Sequence, residues 1–285
     1  MPKTWFITGT SSGFGHEMTE ILLERGDRVA ATLRSPARLA DLAERYGDQL
    51  WRAELDVTNT ERMREVVARA VAELGRIDVV VSNAGYGLIG LAEELTDEQI
   101  LRQLDTNVIA PIQLVRAVTP HLRAQGGGRI LQTSSMGAHI AYPAMSLYHT
   151  SKWAIEGFFE AYAQEVAPFG IRATLIEPGM VATDFYTSAD VAPSELPAYA
   201  GTQAAAFTHG ESSVSLDDMP GDPRKVAEAM IRIGELDEPP LRQLLGSDAY
   251  GLVHAALQAR LKAVEDQRAV AMSTDRDGFA AAVSL

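Results

Sequence analysis

Short apolar runs alternate with stretches of helical periodicity along almost the whole chain, and this alternation constrains the fold more than any other feature. Trp5-Phe6-Ile7-Thr8, Val29 to Leu33, Leu50 to Val57, Ile77 to Val81, Arg129 to Thr133, Ile171 to Ile176 and Leu241 to Leu245 read as strands. Between them, 14–25, 36–46, 60–74, 97–124, 146–167 and 223–235 carry apolar residues at helical spacing, and 248–270 follows as a terminal helix. Parallel strands cannot be joined by tight turns, because each crossover needs a helix-sized connection. The pattern therefore predicts an α/β fold: one domain built on a doubly wound parallel sheet of about seven strands. The helical stretch 97–124 is expected to bend near Pro111. The irregular segment 184–222, rich in Ser, Ala, Pro, Gly and Asp, is expected to form a substrate-side loop or lid. Residues 248–285 are expected to form a C-terminal helical extension.

Composition narrows the function. The 285 residues suit one large domain, and 25 Lys+Arg against 38 Asp+Glu leave a net charge of −13. Such a surface argues against nucleic-acid backbones and anionic membranes as partners. With no cysteine, disulfides and thiolate metal sites are excluded, and no metal site is expected. No apolar run approaches the roughly 18 residues of a membrane span, and Met1-Pro2-Lys3 ahead of Trp5 lacks the pattern of a secretion signal. The expected location is cytoplasmic.

The first strand runs into Thr8-Gly9-Thr10-Ser11-Ser12-Gly13-Phe14-Gly15, where a helix begins. Gly9 permits a tight turn, Gly13 lets backbone N–H groups of 11–14 approach a pyrophosphate, and Gly15 lets the helix pack close to the strand. The helix start attracts phosphate through its free N–H groups and dipole. Ser11, Ser12, Gly13 and Phe14 are thus candidate contacts, although a glycine-rich β–α turn also occurs without a ligand. The second strand ends Thr32-Leu33-Arg34. An NAD-binding chain wants an acid there for the ribose 2′-OH; Arg34 suits a 2′-phosphate, or else is a solvated surface residue. Asp56, followed by Val57, falls where adenine would lie, or serves as a turn or capping residue.

Tyr148 and Lys152 are four residues apart and share a helix face. Ser135 ends the preceding strand, and Asn107 lies in the earlier long helix. Carbonyl reduction delivers hydride to carbon, so a proton must reach oxygen. A tyrosine has a free pKa of about 10, and bringing it to neutrality takes about 4 kcal/mol in favour of the phenolate. A nearby ammonium supplies charge stabilisation of that order, Ser135 can hydrogen-bond the reacting oxygen, and Asn107 can hold a water behind Lys152. Each residue alone is equally a packing or loop residue. Their joint occurrence behind the glycine turn is the informative feature. His149, beside Tyr148, points to another helix face and reads as structural.

Thr8-Gly9-x-x-x-Gly13-x-Gly15, Asn83-Ala84-Gly85, Asn107, Ser135, Tyr148-x-x-x-Lys152 and Pro178-Gly179 together resemble the short-chain dehydrogenase/reductase family in its non-extended branch. The resemblance spans Lys3 to Leu245. Stretches 31–39, 148–158 and 240–248 look like its 17β-hydroxysteroid-dehydrogenase-like group, a name that carries little information about substrate. The resemblance implies a Rossmann-like domain binding NADP(H), with NAD(H) the less favoured option. It implies Tyr148 as acid/base, Lys152 on the nicotinamide ribose and lowering the Tyr148 pKa, Ser135 orienting substrate, and Asn107 in a proton relay. It further implies that Asn83, Ala84 and Gly85 flank the adenine ribose, and that Pro178, Gly179, Val181 and Thr183 line the nicotinamide. The expected substrate is a carbonyl or secondary alcohol, mostly apolar, met by Tyr86, His139, Tyr142, Met145, Phe185 and Tyr186. A homo-dimer or homo-tetramer is expected, with Phe158, Phe159 and Tyr162 serving either an interface or the core. The alternative function is a non-catalytic NADP(H)-binding sensor.

Overall fold

All five residues of Thr4–Thr8 (β1) are buried, because this strand stands inside a sheet covered on both faces. The computed structural model describes residues 2–210 and 215–276. After β1 come α1 (Gly13–Glu24), β2 (Arg28–Leu33), α2 (Ala40–Tyr46), β3 (Leu50–Glu54), α3 (Thr60–Leu74), β4 (Val79–Ser82) and β5 (Leu88–Ile89). Next follow α4 (Asp97–Leu104), α5 (Ala110–Ala124), β6 (Gly128–Thr133), α6 (Ser146–Val166) and β7 (Ile171–Pro178). The chain continues through β8 (Asp190–Val191), α7 (Gln203–Thr208), α8 (Pro223–Gly234), β9 (Arg242–Leu245), α9 (Ser247–Asp266) and α10 (Arg268–Met272).

Seven strands form one sheet in the order β3-β2-β1-β4-β6-β7-β9, and every pair in it is parallel. The expected single-domain, doubly wound α/β architecture is what the chain adopts. The order reverses between β1 and β4, so the C-terminal ends of these two strands open a crevice, the usual ligand position in such sheets. Gly9, Arg34, Asp56, Asn83, Ser135 and Gly179 all lie just beyond strand ends on that side.

Periodicity explains the two layers. On α3, Met63, Val66, Val67 and Ala70 make one buried stripe, capped by Asn59 accepting from Arg62 N and stopped at Gly75. That stripe joins Leu114, Val118, Ile155 and Phe159 on one face of the sheet. Met18, Leu22, Val226 and Met230 cover the other. Phe159 and Tyr162 are buried in the first layer with Phe158 packed against it, so this aromatic run is core.

Several boundaries differ from expectation. The third strand stops at Glu54, because Asp56 turns the chain by accepting from the Thr58 amide and hydroxyl. The fourth starts at Val79: the Gln125 side chain bonds the Ile77 carbonyl and amide, removing them from the ladder. The predicted helix 36–46 opens as a 3-10 turn over Pro36–Leu39. Pro111 takes the second position of α5, directly after a distortion of the long helix. That distortion is a π turn over Asp105–Ile109. The segment 184–222 is organised rather than irregular. It contains β8, paired with β5, and α7 capped by Thr202, and its ends meet at a Val181–Gly221 bridge. Residues 211–214 of that segment, and 277–285 of the expected C-terminal extension, lie outside the described residues.

Candidate active site

The glycine turn is built by close approach. Gly9 has φ +72°, and a Cβ there would lie 2.9 Å from the Ala84 Cα. A Cβ on Gly15 would strike the Gly9 carbonyl. The Asn83 side chain locks the arrangement by donating to the carbonyls of Thr8 (3.1 Å) and Gly9 (3.2 Å). Asn83 and Ala84 amides both donate to the Thr8 hydroxyl. Ser12 holds the N-cap position of α1 without a side-chain cap bond, and the first turn of α1 has no acidic residue. Ser11 to Phe14 therefore surround a helix start with uncompensated N–H groups and positive dipole, a fit for a phosphate. Thr183 faces this turn, its Cβ 3.9 Å from where a Gly13 Cβ would be. Arg34 is exposed beyond β2. It lies near Asp56: burial pushes that carboxyl up, but hydrogen bonds from Thr58 and the Arg34 and Arg102 charges hold it below the usual range. Asp56 is thus a turn residue beside the expected adenine position, with Val57 half-buried next to it.

Ser135, Tyr148 and Lys152 converge at the end of β6. Tyr148 and Lys152 are both 7% exposed, and the Lys152 ammonium lies over the Tyr148 ring, 5.7 Å from its centroid. Lys152 Nζ donates to the Thr133 carbonyl at 3.1 Å. Ser135 accepts from the Gly137 amide at 3.0 Å and stands close enough to the phenol to stabilise its anion. The electrostatics differ from the sequence expectation of a phenol drawn toward neutrality. Burial pushes Tyr148 up to about 12, with only Ser135 opposing. Burial also pulls Lys152 down to about 8, with Glu156 opposing. Desolvation outweighs the neighbouring charges for both groups, since each is enclosed and the ammonium is turned to a carbonyl rather than to the phenol oxygen.

Asn107 sits in the π turn, 3% exposed. Its amide donates to the Tyr86 carbonyl (2.9 Å) and Ser151 hydroxyl (3.2 Å) and accepts from the Tyr86 amide (3.1 Å). The side chain ties segment 83–86 to α6, so those atoms are spent on bracing. His149 is structural, bonded to the Gly137 carbonyl at 2.8 Å and to the Tyr142 amide at 2.9 Å.

Around Tyr148, Phe185 packs at 5.6 Å between ring centroids, and Tyr186 meets Phe185 edge-on at 5.3 Å. Phe185 also fills the space a Gly87 Cβ would need. Segments after β4 and β7 thus close over the phenol as expected. Burial pushes the Tyr186 phenol up as well, and Tyr148, Asp248 and Tyr142 add to this. His139, among the expected wall residues, has its Nε2 paired with Glu177 at 3.1 Å.

Two groups escaped the sequence reading. Asp248, within the quoted stretch 240–248, accepts from the Met180 amide at 2.7 Å and occupies the space beside Gly179 and Gly246. It explains why both positions are glycine and why the turn after Pro178 is held in place. Glu156, one helical turn past Lys152, is 6% exposed and receives Arg242 at 2.8 Å. Its spacing from Lys152 was legible; its burial was not.

Comparison with known proteins agrees with this geometry. Residues 3–192 match the family model described as short chain dehydrogenase. The chain is 36% identical to Oxidoreductase BOA17 of Botryotinia fuckeliana over 94% of this chain and 97% of the relative. It superposes on a short-chain dehydrogenase from Streptomyces avermitilis with a TM-score of 0.87 and 34% identity, covering 97% of this chain and 100% of the other. It resembles the closed form of a serine dehydrogenase complexed with NADP+, at 27% identity and a TM-score of 0.71, over 85% of this chain and 94% of that one. A seven-stranded sheet with its glycine turn at the switch point, and a matching family model over most of the length, place this chain in the short-chain dehydrogenase/reductase family of NAD(P)-dependent oxidoreductases.

Proposed function

We propose that the protein interconverts a carbonyl and a secondary alcohol using NADP(H), with Tyr148 exchanging the proton at the substrate oxygen. The observation that carries this reading is the convergence of Ser135, Tyr148 and Lys152 at the end of β6, with the ammonium 5.7 Å from the phenol ring centroid. Ser11 to Gly15 would hold the pyrophosphate, and Asn83, Ala84 and Gly85 would flank the adenine ribose. Arg34 would hold the 2′-phosphate, with Asp56 and Val57 beside the adenine. Pro178, Gly179, Val181 and Thr183 would face the nicotinamide, whose ribose Lys152 would bind. NADP+ in the 27% identical serine dehydrogenase supports this choice of cofactor. When bound, the dinucleotide supplies or accepts the hydride.

In the reductive direction Tyr148 Oη gives its proton to the substrate oxygen. Burial makes the neutral phenol the resting form at neutral pH, so the proton is in place before reaction. Ser135 donates its one hydroxyl proton to the same oxygen. Lys152, as ammonium, stabilises the phenolate left behind, and Asn107 braces the wall behind it. Phe185, Tyr186 and Tyr142 favour an apolar or aromatic substrate. Exposed Leu101 (60%) and Ile109 (43%) on the α4 and π-turn face support a homo-dimer or homo-tetramer. Among the described residues no helix is long and apolar enough to cross a membrane, in keeping with a cytoplasmic site of action.

The test is a panel of ketones, aldehydes and quinones with NADPH, read at 340 nm by the usual loss of nicotinamide absorbance. Native protein should turn over at least one class. Tyr148→Phe should bind NADPH unchanged while losing about 100- to 10,000-fold in rate. Unchanged turnover in the Phe variant refutes the mechanism. Firm NADPH binding with no turnover on the whole panel favours the sensor.

A further inference from the structure

Beneath Lys152 the protein buries two carboxylates around one guanidinium. Glu156 and Glu177 are 6% and 1% exposed and come from α6 and β7. Arg242, from β9, gives Nε to Glu156 Oε2 at 2.8 Å and lies 3.6 Å from Glu177 Oε1. Its other nitrogen reaches Glu160, which is exposed, at 2.7 Å. His139 Nε2 meets Glu177 Oε1 at 3.1 Å. His139, Glu156 and Glu177 have the spacing of metal ligands, but the Arg242 guanidinium already occupies the place of a cation between the two carboxylates. Arg242 is shared among Glu156, Glu160 and Glu177, so Glu156 has no cation to itself. Lys152 lies one turn before Glu156 on the same face of α6 and is as deeply buried, which places its ammonium in the field of this carboxylate.

We infer that Glu156 is a positioning residue for the reaction: its buried carboxylate, one helical turn from Lys152 and shared with Arg242, keeps Lys152 in its ammonium form within a dry site. The inference rests on the proposed role of Lys152 in holding the nicotinamide ribose. Burial favours the neutral amine, and Glu156 is the group that opposes it. Tyr148, the other titratable group facing Lys152, is neutral at working pH and adds no charge. Glu156 itself is pushed up by burial and by Glu177, while Arg242 opposes this, so its hold on the ammonium weakens in acid.

The test is NADPH affinity, read by nicotinamide fluorescence from about pH 6 to about pH 10, for native protein, Glu156→Gln, Glu156→Asp and Lys152→Met. Native affinity should fall as Lys152 loses its proton. In Glu156→Gln that fall should begin about one pH unit lower, leaving binding about 3- to 10-fold weaker near pH 8 but equal to native near pH 6. Glu156→Asp, which keeps the charge, should restore the native profile. Should Glu156→Gln fail to fold, Glu156→Leu, which also removes the charge, should give the same shift. A Gln variant weakened by one constant factor at every pH, or one with an unshifted profile, overturns the inference. Native affinity in Lys152→Met instead overturns the assigned role of Lys152, and this inference with it.

Discussion

Replacing Lys152 with Met should stabilise the folded protein while abolishing its proposed activity. The argument starts from burial. Lys152 is 7% exposed, and burial lowers its folded pKa from 10.5 to about 8. A gap of that size means the ammonium costs the fold about 3 kcal/mol at pH 7 relative to a neutral side chain. Met fills much of the same volume without charge. The Thr133 carbonyl keeps a donor, because Gln132 Nε2 reaches it at 2.9 Å, and Glu156 keeps Arg242. The attraction to Glu156 is already contained in that shifted pKa; losing the Lys152 bond to Thr133 offsets part of the gain, leaving about 2 kcal/mol, or several degrees in Tm. The sign with pH follows from the lowered folded pKa. Between pH 8 and 10.5 the unfolded chain binds the lysine proton and the folded one does not, so native stability rises with pH. The advantage of the Met variant should therefore shrink by about 2 kcal/mol between about pH 7 and about pH 9.5. Tyr148 does not intrude: its folded pKa of about 12 exceeds the ordinary 10.0, so it costs stability only above about pH 10. Urea midpoints of both proteins across this range are the assay. A Met variant less stable than native at pH 7, or an advantage that does not change with pH, refutes the reasoning.

Two further outcomes follow from the site. Arg34→Ala should weaken NADPH binding about 10-fold or more while changing NADH binding little, because only the 2′-phosphate calls on a guanidinium; equal losses in titrations with both cofactors would exclude that role. Asp248→Ala should lower stability by about 2 kcal/mol, because the half-buried Met180 amide loses its carboxylate acceptor. It should also weaken cofactor binding through the freed 178–181 turn, and an unchanged Tm would show that the bond contributes nothing.

Much of this protein was legible along the chain because the information is local. Apolar runs identified every strand of the main sheet, most clearly β1 and β4, which are fully buried between the two helical layers. Gly9 and Gly15 announced a close approach of backbones, and Tyr148 and Lys152 lay one helical turn apart. What escaped depended on partners distant in sequence. The start of β4 was set by Gln125, the break in the long helix took the form of a π turn around Asn107, and the turn after Pro178 was held by Asp248. The charge state of the site belongs to the same class. A tyrosine beside a lysine suggests an acidic phenol, yet enclosure by Phe185 and the surrounding strands pushes both groups toward neutrality. Glu156, Glu177 and Arg242 meet only because α6, β7 and β9 are neighbours in space. Periodicity and spacing are properties of adjacent residues, whereas desolvation and charge balance sum over everything within a few ångström, and only the folded chain fixes that neighbourhood.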